Sequence, residues 1–248
     1  MCHVYFTLGN LSWDVFYIIK IFENPEDKTI KFISDKFHEF NGLSCDKNKS
    51  EKIAKIKDIV DSIYQNYHEE LEESIRNFEG CWKEVEPQFI RTLSNVFGLE
   101  KSDLKRNFVC FVGINPICPR NIKYGTFSVP FYIKCSTLKK VVAHELTHFL
   151  YFMKISQIEH QNINTKNFDK SSFEWLMSEI IAPIVLNDVR IHEIIGKTPI
   201  YSYVCSKDMS EQIYNLYNNI RKNKWDFERF YLLAKELVLK RESKEVIK

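Results

Sequence analysis

Between Lys47 and Phe78 the apolar residues Ile53, Ile56, Val60, Ile63, Tyr67, Leu71, Ile75 and Phe78 recur every three or four positions, with Lys and Glu filling the gaps. That period lines them along one stripe of a helix and leaves a charged face for solvent, so it predicts one long amphipathic helix ended by Gly80. A further helix is expected around WKEVEPQFIRTLSNVFG, closing at Gly98. Near the start, HVYFTL reads as a short strand. The following WDVFYIIKIF fits a strand by its β-branched content and a helix by its spacing, and both readings stay open.

Past Gly98 the pattern changes. NFVCFVGI and GTFSVPFYI are β-rich runs, separated by NPICPRNIKY, whose prolines and asparagines mark a loop. Pro130 lies inside the second run; with no N–H to give a ladder, it places that strand at a sheet edge or on a bulge. Ser136 or Thr137 can cap a helix from about Leu138 to Met153. After the polar stretch SQIEHQNINTKNFDK, Ser171 or Ser172 can cap another, SFEWLMSEIIAPIVLND, and two amphipathic helices follow from about Asp208. No internal repeat or low-complexity linker interrupts the chain. The expected fold class is α+β: one helix-rich domain over residues 1–248, with a small β-sheet packed on the 138–153 helix. Residues 1–107 would form a mostly helical part, and 108–248 would carry the chemistry.

Composition narrows the partners. The chain has 248 residues, 44% hydrophobic and 27% charged, a globular balance. Its formal charge is +2, from 35 basic and 33 acidic residues, so no overall field draws it to nucleic acid or to an anionic membrane. Seven cysteines are scattered with no CxxC pair, which predicts free thiols in a reducing compartment and no disulfide framework. The start, MCHVYFTLGNLSW, lacks the basic and apolar regions of a signal peptide, and no apolar run reaches the ~18 residues of a membrane span. A soluble cytoplasmic protein is expected.

The mostly apolar stretch VVAHELTHFLYF, residues 141–152, nevertheless carries two histidines and a glutamate. On a helix turning about 100° per residue, His144 and His148 lie about 40° apart and Glu145 about 60° beyond His148. Val142, Ala143, Leu146, Phe149 and Leu150 occupy the other faces, so this polar sector must be satisfied inside the protein. Two imidazoles one turn apart can bind one Zn²⁺, with the intervening glutamate facing the open coordination position as a general base. A chance HExxH, or two core histidines bonded to backbone carbonyls, is the plainer alternative.

HELTH on a buried helix, preceded by a short sheet and followed by a second helix with a glutamate, resembles the zincin metallopeptidases, in particular the gluzincins. The stretch HELTHFLYF is also similar to that of small bacterial HExxH proteins. The resemblance spans roughly residues 108–190. It implies a zinc-dependent hydrolase of peptide bonds, with His144 and His148 as ligands, Glu145 as base and a glutamate of the second helix as third ligand. Its substrate would be a peptide or protein lying along the TFSVPFYI edge strand. The metzincin pattern is excluded, because Tyr151 stands at its glycine position and Lys154 at its last histidine.

For the third ligand, Glu179 sits among Trp175, Ala182, Pro183 and Leu186 at helical spacing. A carboxylate there needs a partner, either a metal or a buried Lys or Arg. His160, Asp188, His192 and Glu193 compete for the ligand role. Where the gluzincin pattern has a histidine-orienting aspartate, this chain has Pro183, so that duty falls to another residue such as Asn187 or Asp188. His192, Tyr201 and Tyr203 are the candidates to stabilise an oxyanion. Two rival readings stand beside the peptidase: a zincin-fold binding or scaffold protein without hydrolysis, and a metal-dependent hydrolase of a non-peptide substrate.

Overall fold

The chain opens as expected with strand β1 (Val4–Leu8), and the ambiguous stretch after it is helix α1 (Leu11–Glu23). Asn10 caps α1 by accepting from the Trp13 N–H, and Asp14, Ile18, Ile21 and Phe22 form its buried side. Helical spacing therefore prevails over β-branched content in this segment. The computed structural model describes residues 2–24, 28–43, 48–160 and 172–245. Within them α2 (Lys28–Lys36) follows α1.

The single long helix expected over 47–78 is two helices, α3 (Lys49–Asn66) and α4 (His68–Lys83). The break is at Tyr67, whose φ of −109° and ψ of 24° leave the helical region. Its ring lies against Phe37 at 5.8 Å and Phe131 at 5.7 Å. The apolar period continues across the break, so spacing alone conceals it. Gly80, expected as the stop, lies inside α4. Helix α5 (Glu86–Phe97) does end at its glycine: Gly98 has φ of 62°, and the Leu99 N–H bonds the Ser94 carbonyl. That left-handed turn is one a side chain would strain.

Strands β2 (Phe108–Gly113), β3 (Arg120–Asn121) and β4 (Thr126–Pro130) join β1 in a four-stranded sheet of order β1-β2-β4-β3. β1 and β4 run parallel to β2, while β3 is antiparallel to β4, with Arg120 opposite Phe127. The expectation that the Pro130 run forms a sheet edge is thus corrected. β3 covers Thr126 and Phe127, and the Ser128 N–H bonds the Pro119 carbonyl. Pro130 is tolerated because it ends its strand.

Helix α6 (Cys135–Ile158) carries HELTH and begins three residues earlier than expected, after Lys134 rather than at a Ser or Thr cap. Its first residue corrects a second expectation, since Cys135 is disulfide-bonded to Cys81 of α4 with the Cα atoms 5.9 Å apart. Folding brings together two thiols 54 residues apart, which spacing along the chain did not reveal. Cys2, Cys110, Cys118 and Cys205 are free.

Phe149 fixes α6 to the sheet, stacking on Phe108 at 4.8 Å and meeting Phe127 at 6.1 Å. Helix α7 (Phe173–Leu186) packs along α6, and Ser172 is its N-cap, accepting from the Trp175 N–H. The polar stretch expected before it falls mostly outside the described residues, as does Ser171. Helices α8 (Val189–Ile195), α9 (Lys207–Asn223) and α10 (Phe227–Glu245) complete the chain. The architecture is α+β, helix-rich with a small mixed sheet. Among the described residues, no helix is long and apolar enough to cross a membrane.

Candidate metal centre

Helix α6 is apolar on most of its surface, so its polar residues are held in the interior, each by a different partner. Thr147 is fully buried and donates to the Ala143 carbonyl one turn back, at 2.7 Å, which settles it within the helix. His144, Glu145 and His148 share the remaining sector, which faces α7. There they meet Glu179. Ligand atoms of His144, His148 and Glu179 all lie within 4.8 Å of one another, and among the described residues no other such group of three or more occurs.

The His144 and His148 Nε2 atoms are 3.0 Å apart, and His148 Nε2 lies 3.8 Å from Glu179 Oε1. Two atoms bound tetrahedrally to one Zn²⁺ at 2.0–2.1 Å would be about 3.3 Å apart, between these two separations. The donor set of two imidazoles and a carboxylate is one that zinc takes in hydrolytic sites. The residues present therefore fit the metal that the motif suggests.

Ser178 fixes the tautomer of His148. Its hydroxyl donates to the Trp175 carbonyl at 2.7 Å, so its oxygen is free to accept from His148 Nδ1 at 3.2 Å. With its proton on Nδ1, His148 turns the Nε2 lone pair towards His144 and Glu179. Asn187 and Asp188, the candidates from sequence for this orienting role, are engaged elsewhere. Asn187 donates to the Pro183 carbonyl and to Thr198, while Asp188 caps α8 and accepts from Arg190 and from the Tyr217 hydroxyl. The helix runs on through Pro183 to Leu186.

A residue that the motif does not announce completes the centre. Arg120, on the two-residue strand β3, reaches in from the sheet side. Its Nη1 lies 3.3 Å from Glu145 Oε2, and its Nη2 bonds Glu179 Oε1. Both glutamates are only 4% exposed, so this is a buried carboxylate–guanidinium–carboxylate bridge. The buried Lys or Arg raised as the alternative partner of Glu179 is thus Arg120. Only the topology could name it, since its partners lie 25 and 59 residues further on.

Burial and this cation set the protonation states. Burial lowers the pKa of His144 to about 4, with Arg120 adding to the effect, and drives His148 well below its ordinary value. Both imidazoles are neutral near pH 7, the form that binds metal. Glu145 is raised to about 7 by burial, with Glu179 adding and Arg120 opposing. Burial works against the charge of Arg120, but Glu145 and Glu179 outweigh it and keep the guanidinium above its ordinary range.

A cleft of about 420 Å³ opens onto His144, Glu145 and Glu179. One wall is the N-terminal part of α6, with Val141; Pro183 and Leu186 of α7 and the segment 198–203 line the rest. Tyr201 and Tyr203 both border it, whereas His192 does not. The Tyr201 hydroxyl is directed to Glu211 at 3.2 Å. Tyr203 is largely exposed at the rim of the cleft, within electrostatic reach of Glu179, Arg120 and Glu145. Of the other candidate ligands, His160 and Glu193 are exposed, and neither they nor His192 nor Asp188 joins the cluster.

In comparisons with known proteins, the chain matches no family model, no curated protein and no solved structure.

Proposed function

We propose that the chain is a zinc-dependent metallopeptidase with a gluzincin-type, zincin-like centre, hydrolysing a peptide or protein substrate held in the cleft over α6. The observation that carries this reading is the convergence of His144, His148 and Glu179 beside the buried Glu145, at the floor of an open cleft. His144, His148 and Glu179 would hold Zn²⁺, which supplies a water acidified towards neutrality and a Lewis acid for the scissile carbonyl.

The chain's own residues supply the rest. Glu145, with its pKa near 7, can accept a proton from the attacking water and return one to the leaving amine close to neutral pH. Ser178 keeps the His148 lone pair directed into the centre. Tyr203, which borders the same cleft, is the candidate left to donate to a developing oxyanion, because Tyr201 is turned to Glu211. The substrate would lie between the start of α6 and the 198–203 segment, since β3 covers the beginning of the strand first considered for it.

The scaffold reading draws on one observation: Arg120 bridges both carboxylates without a metal. Metal analysis and a peptide-library digest separate the two. The peptidase should hold about one zinc per chain and cleave peptides in a chelator-sensitive way. Glu145→Gln should keep the zinc and lose at least about 100-fold of the rate. A folded chain that takes up no zinc would reject the peptidase.

A further inference from the structure

Arg120 is costly to place where it is. A guanidinium in a buried site is tolerated only if carboxylates surround it, and here they are the proposed base and the proposed third ligand. The bridge uses the same Glu179 oxygen, Oε1, that lies 3.8 Å from His148 Nε2. A metal ion held by His148 and that oxygen would displace the Nη2 contact, and the guanidinium and the ion repel each other at this range.

We infer that Arg120 is the built-in cation of the metal-free centre and competes with the metal for Glu179. The inference rests on the zinc reading above and extends it to how the site loads. Without metal, Arg120 offsets the carboxylate charge of the pocket and holds Glu145 and Glu179 in place, so the site stays assembled while empty. Metal entry must break the bond from Nη2 to Glu179, whereas the bond from Nη1 to Glu145 uses a different carboxylate and can persist. The apparent zinc affinity is then the intrinsic affinity of the two histidines and the glutamate, reduced by the fraction of chains in which Glu179 is free.

The sign of the effect separates this role from a merely structural one. Removing a residue that only supports the site weakens metal binding; removing a competitor tightens it. Arg120→Met keeps much of the side-chain length and removes the charge. It removes the contact that occupies Glu179 Oε1 and leaves that oxygen to a metal. Arg120→Lys keeps the charge but cannot bridge two carboxylates with a planar fork.

The experiment uses the full chain stripped of metal, with Zn²⁺ titrated against a chromophoric chelator at pH 8. Thermal melts with and without zinc run in parallel. Arg120→Met should bind zinc about 10- to 100-fold more tightly than the parent, the size of an ordinary coupling between two groups that exclude each other, Arg120→Lys should fall between them, and both metal-free variants should melt below the parent. A folded Arg120→Met with equal or weaker affinity overturns the inference and leaves the zinc reading intact. Should Arg120→Met fail to fold, unchanged affinity in Arg120→Lys has the same meaning. A parent that takes no zinc beside an Arg120→Met that does would reject the peptidase and support the competition by Arg120, while zinc binding by neither would reject both readings.

Discussion

Replacing Ser178 by alanine tests the centre without touching a ligand. His148 and Ser178 are both fully buried, and the serine oxygen is the acceptor for His148 Nδ1 at 3.2 Å. A buried N–H left without an acceptor costs roughly 1–3 kcal/mol. That figure is a ceiling here, because the imidazole has an escape: its proton can move to Nε2 and be donated to His144 Nε2, 3.0 Å away. The escape removes the lone pair that a metal requires. The variant should therefore lose little stability and much metal affinity.

In numbers, the metal-free Ser178→Ala protein should melt no more than about 12 °C below the parent, at roughly 2–4 °C per kcal/mol for a chain of this size. Its zinc affinity should fall about tenfold or more, the usual consequence of removing a ligand's orienting partner. Chelator competition measures the second quantity. Nitrogen-15 shifts of the histidines measure the cause, with His148 protonated on Nδ1 in the parent and shifted towards Nε2 in the variant. Parental zinc affinity in Ser178→Ala, or an Nε2 proton on His148 in the metal-free parent, would refute the reasoning.

Three further outcomes are expected. Glu179→Ala should weaken zinc binding by about one or two orders of magnitude or more, and by a larger factor than Ser178→Ala, as loss of a direct ligand must exceed loss of an orienting partner, whereas Asp188→Ala, which disturbs only Arg190 and Tyr217, should destabilise the fold and leave affinity unchanged. Reducing Cys81–Cys135, or changing both to serine, frees a loop with a separation of 54 residues and should cost about 4 kcal/mol by chain entropy. The melting point should drop by roughly 10 °C, and thiol counting on the unfolded, unreduced chain should find this pair blocked. Asp14 lies far from HELTH in sequence; burial raises its pKa to about 6 against the bonds it accepts from the Ile114 N–H and the Tyr64 hydroxyl. The folded state thus holds this proton longer than the unfolded state, so stability should fall as pH rises from about 4 to about 6, and that slope should be absent in Asp14→Asn.

The parts of this molecule that could be read from sequence are those whose physics is local. HELTH announces itself because a helix places residues four apart on one face whatever surrounds it, and the apolar neighbours of those residues imply burial. Glu179 was legible for a similar reason: a carboxylate among apolar residues at helical spacing demands a partner. Gly98 ended its helix as expected, since a left-handed C-cap is a property of a few consecutive residues. Tyr67 and Gly80 show the limit of the same logic. The apolar stripe is continuous through both, and what breaks the helix at Tyr67 is a ring seated against Phe37 and Phe131, residues 30 and 64 positions away by number.

The parts that could not be read depend on where distant segments meet. Ser178 is an ordinary buried serine until α7 lies against α6, and Cys81 and Cys135 are two scattered thiols until α4 passes the start of α6. Arg120 is the sharpest case. In the sequence it stands in a Pro- and Asn-rich connection where a solvated arginine would be expected. A two-residue strand then pairs with β4, opposite Phe127, and turns that loop inwards over the centre. The same pairing covers the strand edge proposed for substrate and delivers the cation that occupies Glu179. One short stretch of backbone pairing thereby covers the first residues of the expected substrate track and sets the charge of the metal-free site. For that reason the position of β3 bears on both substrate path and metal loading, and a variant that weakens its pairing while keeping Arg120 should loosen the guanidinium's hold on Glu179 and shift zinc affinity in the same direction as Arg120→Met, by a smaller factor.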